Sequence, residues 1–421
     1  MRRLAFLSLL LACGHPASEP PFIVRVALWG PLGMLTPESG NTGSLAVIAQ
    51  PLVFEPLARF DANGGLVPVA AARIEATSQR RCRAWLRKES TFSDGAPLTE
   101  EDVVASFAGK ARVTLDEGAL AIESLDAGMP IDILITSVVI HRGSGAGALG
   151  TGPFVVASAS GSEIRMVRRR PAPHGVSEVR LVPYATPQEA FAHTLKGDAN
   201  LLVDLDPRWL EFFRGVPTLQ VVRSPGVATD AVAFSMKLPR SERKALAALL
   251  ETDEVRNAAY GTGECAEPPG ADATSVRLPA GPKLGILTWG PFERLGRVVR
   301  RALGPRAGEL VHLPPRDVLA RIRSRNFDLM TLRPLSWPPA ALSLSWHSGV
   351  ADNPNGYSNP AVDHALDAHD WRAARAALRD DPPAAFICTR DRVAVMDARI
   401  RNPAPGSGDL METLSQWEVS Q

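Results

Sequence analysis

The sequence predicts a globular α/β protein of two or three domains. Strand and helix patterns alternate most clearly between residues 283 and 332, and this order predicts a parallel sheet covered by helices. The alternating segments are 283–289, 291–303, 309–313, 315–325 and 327–332. The chain has 421 residues, of which 45% are hydrophobic and 22% are charged, an ordinary composition for a protein with a real core.

Local signals place further elements along the chain. In order, the sequence predicts a strand over 23–29, a helix over 45–57, helices after Thr99 and Thr186, and a strand over 200–205. Threonine side chains cap the free N–H groups of a helix, and the acidic residues after both threonines suit the positive end of a helix dipole.

The charge balance argues against a nucleic-acid partner. The chain has 46 Lys and Arg residues against 45 Asp and Glu residues, a net charge of +1. Nucleic-acid binding needs a basic excess or stripe. The eight histidines show no metal-ligand spacing, so we expect no metal site and no cofactor.

A targeting segment opens the chain. Residues 1–12 combine two arginines with an apolar run that is too short to span a bilayer, which is typical of a signal peptide. The letters LLAC, ending at Cys13, resemble a bacterial lipobox, and this resemblance implies cleavage before Cys13 and lipid on that residue. We therefore expect a lipidated cysteine and tether over 13–22, and an exported lipoprotein facing the periplasm or the cell exterior. A plain secretory signal with a chance cysteine is the alternative.

Three cysteines remain after Cys13: Cys82, Cys265 and Cys388. They contain no CxxC pair, so a zinc cluster is not predicted. One disulfide and one free thiol would suit an oxidising compartment, but the sequence does not select the pair.

Several segments resemble the bacterial extracellular solute-binding proteins of the peptide/nickel class (family 5), which serve ABC transporters. They are VFEPL at 53–57, TFSDGAPLTEEDV at 91–103, GTGPF at 150–154, the helix and strand over 189–205, FDL at 327–329 and NGYSNPAVD at 355–363. Their order and their spread over nearly the whole mature chain make the resemblance specific.

The resemblance implies a two-lobed periplasmic-binding-protein fold with a discontinuous first lobe and a shortened extra domain. Carried over to this chain, lobe I comprises 23–46, 150–225 and 385–421, the extra domain comprises 47–149, and lobe II comprises 226–384. The implied function is the lipid-anchored substrate-binding component of an ABC importer, which captures a peptide-like or other small solute by hinge closure. Its expected partner is a permease in the inner membrane, and we expect a monomer without enzymatic activity.

Five side chains are candidate ligand contacts: Trp29, Arg333, Trp337, Trp346 and Tyr357. Trp29 ends the first strand, and three of the others follow the FDL strand. Open α/β sheets bind ligands at strand ends, where aromatic rings bury apolar surface and arginine pairs with carboxylates. The alternatives are core packing for each tryptophan, a surface ion pair for Arg333 and a turn role for Tyr357.

Residues 335–340 depart from the family pattern. Trp337 is kept, but the aspartate that holds the α-ammonium in the family's peptide binders is missing. An unpaired buried ammonium is costly, which leaves room for a degenerate member acting as a sensor or interaction lipoprotein. A periplasmic hydrolase is a further alternative, but the sequence has no GxSxG, HExxH or SxxK motif with matching partners.

Overall fold

A computed structural model describes residues 21–39, 44–61, 63–265, 278–350, 353–403 and 410–420. The predicted signal peptide and the predicted lipidation at Cys13 lie outside these residues. The α-helices are Gln50–Val53, Glu100–Ser106, Ile131–Ser137, Pro187–Lys196, Arg240–Leu250, Asp253–Tyr260, Glu293–Leu303, Pro315–Ser324, Leu342–Trp346, Pro360–Asp367 and Trp371–Asp380. None of the helices in this described part is both long and apolar enough to cross a bilayer.

The first lobe is built on a seven-stranded sheet. Its strands, in spatial order, are Phe154–Ala159, Ile164–Arg168, Val176–Tyr184, Phe22–Trp29, Leu201–Leu202, Arg392–Asp397 and Leu219–Ser224. The predicted strand over 23–29 is confirmed at the centre of this sheet, where it pairs in parallel with Val176–Tyr184. The chain enters the sheet near both ends of the sequence, so the first lobe is discontinuous.

The second lobe is built on a five-stranded sheet. Its spatial order is Ala307–Leu313, Leu284–Trp289, Leu329–Leu332, Thr229–Phe234 and Ala384–Thr389. The first three strands are parallel and confirm the predicted strand–helix alternation. Thr229–Phe234 runs antiparallel to both of its neighbours, so the sheet is mixed. Neither this strand nor Ala384–Thr389 was predicted.

Two chain segments cross between the lobes side by side. Residues 225–228 lead from the first sheet into Thr229–Phe234, and residues 390–391 lead from Ala384–Thr389 back to the first sheet. The second crossing places residues 385–389 in the second sheet, so the chain returns to lobe I a few residues after the predicted boundary. The Thr229 and Thr389 hydroxyls lie 2.7 Å apart, joining the two crossings at their second-lobe ends.

The extra domain carries a four-stranded antiparallel sheet. Its strands, in spatial order, are Ala71–Ser78, Arg81–Leu86, Ala119–Ser124 and Ala111–Asp116. Phe60 and Ile133 of this domain pack on Ala340 and Ala341 of the second lobe in a small apolar cluster. The extra domain therefore touches the second lobe directly.

Short two-stranded ribbons complete the fold. They pair Ala58–Phe60 with Leu66–Pro68, His141–Arg142 with Leu149–Gly150, and Ile400–Arg401 with Glu418–Val419. Gly150 explains part of the GTGPF segment, because a Cβ there would lie 2.0 Å from the Val53 carbonyl oxygen. Only glycine allows the extra domain and the first lobe to approach so closely at this point.

Two predicted elements are shorter than expected. The helix predicted over 45–57 is a 3-10 turn, Leu45–Ala49, followed by the single α-turn Gln50–Val53, and Pro56 prevents its continuation. The strand predicted over 200–205 is limited to Leu201–Leu202. Asp204 has a φ of 51°, a left-handed conformation that is incompatible with a strand.

One disulfide resolves the cysteine alternatives. Cys265 and Cys388 are bonded, with Cα atoms 5.1 Å apart, and link the chain after Asp253–Tyr260 to the strand Ala384–Thr389. Cys82 is a free thiol buried in the extra domain, where burial raises its pKa to about 12. The thiol therefore stays protonated and behaves as a small apolar side chain.

Candidate functional site

A cavity of about 660 Å³ lies between the lobes beside the two crossings. It is lined by Trp29, Pro187, Phe191, Asp204, Leu205, Asp206, Pro207, Trp209, Val227, Ala228, Asp230, Arg333, Arg390, Asp391, Arg392 and Val393. We call it the interlobe cavity. Its volume falls within the range of small-molecule sites, and strand ends of both sheets border it.

Aromatic rings of the first lobe form one wall of the interlobe cavity. The Phe191 ring centroid lies 6.2 Å from Trp29 in an edge-to-face arrangement and 5.5 Å from Trp209. Phe191 projects from the helix Pro187–Lys196, which begins at Thr186 as predicted, with the Thr186 hydroxyl accepting from Glu189 N–H. The rings offer flat apolar surface to a ligand body.

Charged residues of both lobes and of the second crossing also line the interlobe cavity. Asp230 is 2% exposed and accepts two hydrogen bonds from the Arg333 guanidinium, one of them at 3.1 Å. Arg390 lies 3.9 Å from the same carboxylate and 3.5 Å from Asp206 of the first lobe. An ionic chain therefore runs from lobe to lobe across the cavity.

Local electrostatics keep these groups in defined charge states. Burial lowers the pKa of Arg333, but the hydrogen bond and charge of Asp230 outweigh it, and the net pKa is raised. Burial, reinforced by the charge of Asp230, raises the pKa of Tyr260 well above its ordinary value. The Arg390 guanidinium lies 5.0 Å from the Tyr260 ring centroid, a cation–π contact. Arg333 therefore stays cationic and Tyr260 stays a neutral phenol.

The structure brings two of the five predicted contacts into the interlobe cavity. Trp29 of the first lobe and Arg333 of the second lobe both line it. Trp337 and Trp346 line a different, smaller cavity of the second lobe. Trp346 is fully buried there, and the Trp337 ring lies against Gly64 of the extra domain, where an added Cβ would come within 3.2 Å of it.

Tyr357 is a core residue of the second lobe. Its side chain is 1% exposed, and its hydroxyl donates to the Asp381 carbonyl oxygen at 2.8 Å. The expectation that Tyr357 contacts a ligand is therefore corrected. The turn around it is held by Asn353 and Asn355, which accept from the Tyr357 backbone N–H.

Several residues of the interlobe cavity were not predicted. Phe191 and Trp209 resemble core positions of a helix and a turn, and Arg390 resembles a solvated strand end. Asp230 carried a usable signal, because it is the one carboxylate in the apolar strand Thr229–Phe234. A charge in such a strand requires a buried partner.

The described residues offer no cluster of three or more His, Cys, Asp or Glu side chains that could hold a metal ion. The charged side chains of the interlobe cavity are instead aspartates and arginines, and three of the four aspartates are paired with arginines. Besides the chain through Asp230, Arg392 donates to Asp204 at 2.7 and 3.1 Å. This arrangement suits organic charged groups.

A buried glutamate marks the smaller cavity that contains Trp337 and Trp346. Glu251 accepts from the Phe386 backbone N–H at 2.8 Å. Burial raises its pKa to about 7, against the opposing effects of this hydrogen bond and of Arg256 and Arg379. The folded protein therefore holds a proton here at a pH where the unfolded chain has released it.

We expect Glu251→Gln to stabilise the protein in a pH-dependent manner. A carboxyl whose pKa is raised on folding makes stability fall as pH rises from about 4.5 to about 7, and the full cost, about 3 kcal/mol, applies above pH 7. Glutamine keeps an acceptor oxygen for Phe386 without the charge. Denaturant unfolding should show a gain of about 2 kcal/mol at pH 8 and little change at pH 4.5. The exposed control Glu254→Gln should show no such pH dependence, and a gain independent of pH in Glu251→Gln would contradict the assignment.

Comparisons with known proteins place the fold. NikA from Staphylococcus aureus, solved with Ni(L-His)2, has a TM-score of 0.71 at 13% identity, covering 92% of this chain and 98% of that chain. The oligopeptide-binding protein AppA from Bacillus subtilis, solved with a nonapeptide, has a TM-score of 0.74 at 13% identity, covering 96% and 100%. AgaA from A. tumefaciens R10, solved with agropinic acid, has a TM-score of 0.76 at 15% identity, covering 95% and 99%.

The chain thus has the two-lobed fold of the periplasmic binding proteins. The resemblance to the peptide/nickel class is confirmed at the level of fold, since the similar structures include binding proteins for peptides and for nickel. No family model and no curated protein matches the sequence.

Proposed function

We propose that this protein is the solute-binding component of an ABC importer and captures a small organic solute in the interlobe cavity. The observation that carries the proposal is the cavity itself, which is lined by aromatic rings of the first lobe, by Asp230 and Arg333 of the second lobe and by the crossings. A ligand that touches both lobes favours the closed arrangement, because it makes both sets of contacts only when the lobes are together.

The paired charges suit a ligand that carries both signs. Four aspartates and three arginines line the interlobe cavity, and three of the aspartates are paired with the arginines. Asp391 is exposed and has no ion-pair partner among the described residues. Its carboxylate is therefore available for a ligand ammonium, while Arg333 is half-exposed and available for a ligand carboxylate.

A screen by thermal unfolding tests the proposal. The purified chain is mixed with peptides, amino-acid conjugates, sugars and nickel–histidine, and a working binder should be stabilised by at least one class. A solute at 100 times its Kd adds about 2.7 kcal/mol of stability. Trp209→Ala should lower the affinity for that solute about tenfold, since it removes part of the aromatic wall.

The control is Trp85→Ala, which removes a half-buried tryptophan of the extra domain away from the interlobe cavity. Its affinity for the selected solute should equal that of the unmodified protein. A solute whose affinity is unchanged by Trp209→Ala would contradict binding in this cavity.

Asp391→Asn separates ligand contact from folding. We expect this change to lower the affinity for an ammonium-bearing solute about fivefold to twentyfold, because a charge-assisted hydrogen bond is lost. The free energy of unfolding should change by less than about 0.5 kcal/mol. Calorimetric titration measures the affinity, and the exposed Glu89→Gln serves as the charge-matched control. Equal affinities in the two variants would exclude Asp391 as a ligand contact.

Export and anchoring complete the proposal. The lipobox-like LLAC segment supports lipid attachment at Cys13, and a permease in the inner membrane is the expected partner. Mass spectrometry of the protein isolated from its native envelope should show a diacylglyceryl or triacyl modification on Cys13, and Cys13→Ala should release the protein from the membrane fraction.

A further inference from the structure

A second cavity of about 290 Å³ lies behind the crossings, in the second lobe. It is lined by Gly226, Thr229, Glu251, Pro334, Leu335, Ser336, Trp337, Leu342, Trp346, Arg375, Leu378, Arg379, Phe386 and Thr389. Consecutive residues of an extended segment point to opposite faces, and Ala228 and Arg390 line the interlobe cavity while Thr229 and Thr389 line this one. The two cavities therefore lie on opposite sides of the crossings.

The walls of the second cavity are mostly apolar. Trp346 and Phe386 meet edge to face, with ring centroids 5.6 Å apart and planes at 82°. Leu342 and Leu378 add buried aliphatic surface. This lining fits the body of a small apolar molecule of about the size of a single aromatic ring with a short side chain.

The charge around the second cavity is positive. Arg375 and Arg379 line it, and the structure gives Arg375 no ion-pair or hydrogen-bond partner in the described part of the chain. The one carboxyl in the lining is Glu251, whose pKa burial raises to about 7, so near neutral pH its charge only partly offsets the arginines. A positive, partly enclosed site with apolar walls favours an anion with an apolar body.

We propose that the second cavity is a separate binding site for a small apolar monocarboxylate, an aromatic or branched aliphatic acid. The carboxylate pairs with Arg375, and the apolar body packs on Phe386 and Leu378. This site is distinct from the interlobe cavity and does not depend on the solute bound there.

Phenylacetate and its neutral analogue phenylacetamide are the probes. Calorimetric titration of the full chain at pH 6.5 should show saturable binding of phenylacetate and at least tenfold weaker binding of phenylacetamide. Arg375→Gln should weaken phenylacetate binding at least tenfold, because it removes the charge that pairs with the carboxylate.

Matched variants keep the test decisive. Arg372→Gln changes an exposed arginine of the same helix that does not line the cavity, and it should bind phenylacetate as the unmodified protein does. Asp391→Asn, in the interlobe cavity, should also leave phenylacetate affinity unchanged. Absence of phenylacetate binding at concentrations up to about 10 mM would overturn the proposal. Equal phenylacetate affinities of the Arg375→Gln and Arg372→Gln variants would also overturn it.

Discussion

Replacing Arg333 by methionine is expected to destabilise the protein by about 3 kcal/mol, because it leaves a buried carboxylate without its main partner. Asp230 is 2% exposed, and after this change its nearest cation would be Arg390, at 3.9 Å. Methionine keeps much of the side-chain volume, so the loss reports the ion pair rather than a void. Denaturant unfolding at pH 7 measures it.

A double-mutant cycle assigns the loss to the pair. Adding Asp230→Ala to Arg333→Met should recover about 1 to 2 kcal/mol, because the uncompensated buried charge is then gone. The control Arg297→Met breaks an exposed pair with Glu293 and should cost less than about 1 kcal/mol. If the two single changes at Arg333 and Asp230 were additive, the ionic chain between the lobes would not be the source of the effect.

The second large effect is expected at Gly226, where the two crossings touch. A Cβ added at Gly226 would lie 2.1 Å from the Arg390 carbonyl oxygen, and main-chain atoms cannot yield as a flexible side chain does. Gly226→Ala should therefore force the crossings apart and destabilise the protein by about 3 kcal/mol. Thermal unfolding measures the loss of stability.

Gly161→Ala is the matched control for this glycine. A Cβ at Gly161 meets nothing within 4 Å, and its backbone is not in the left-handed region, so the change should be neutral or stabilising by less than about 1 kcal/mol. If Gly226→Ala were as stable as Gly161→Ala, the close packing of the crossings would be wrong.

Local sequence patterns predict much of the fold. The alternation over 283–332 was readable because each strand and helix is a continuous segment with its own periodicity. The helix Pro187–Lys196 begins after Thr186 as predicted, since capping depends on residues within one turn. The motif resemblance added the two-lobed arrangement, which no local pattern contains.

Long-range pairing set the limit of prediction. Thr229–Phe234 and Ala384–Thr389 pair across about 150 residues of chain, and nothing local in either segment specifies the other. Asp230 and Arg390 were not predicted as site residues for the same reason, since they come together only through this pairing. Burial then separates the aromatic residues that were predicted to contact a ligand. Tyr357 and Trp346 lie in the core, whereas Trp29 borders the interlobe cavity.

The most direct test of the central claim, that the lobes close on a solute, is the distance between spin labels on the two lobes. Leu195→Cys and Arg301→Cys place labels at exposed positions of the first and second lobes, and the free Cys82 is buried. The solute selected by the thermal screen should shorten and narrow the measured distance distribution, and Trp209→Ala should raise the solute concentration needed. A solute that binds tightly and leaves the distribution unchanged would contradict capture by closure.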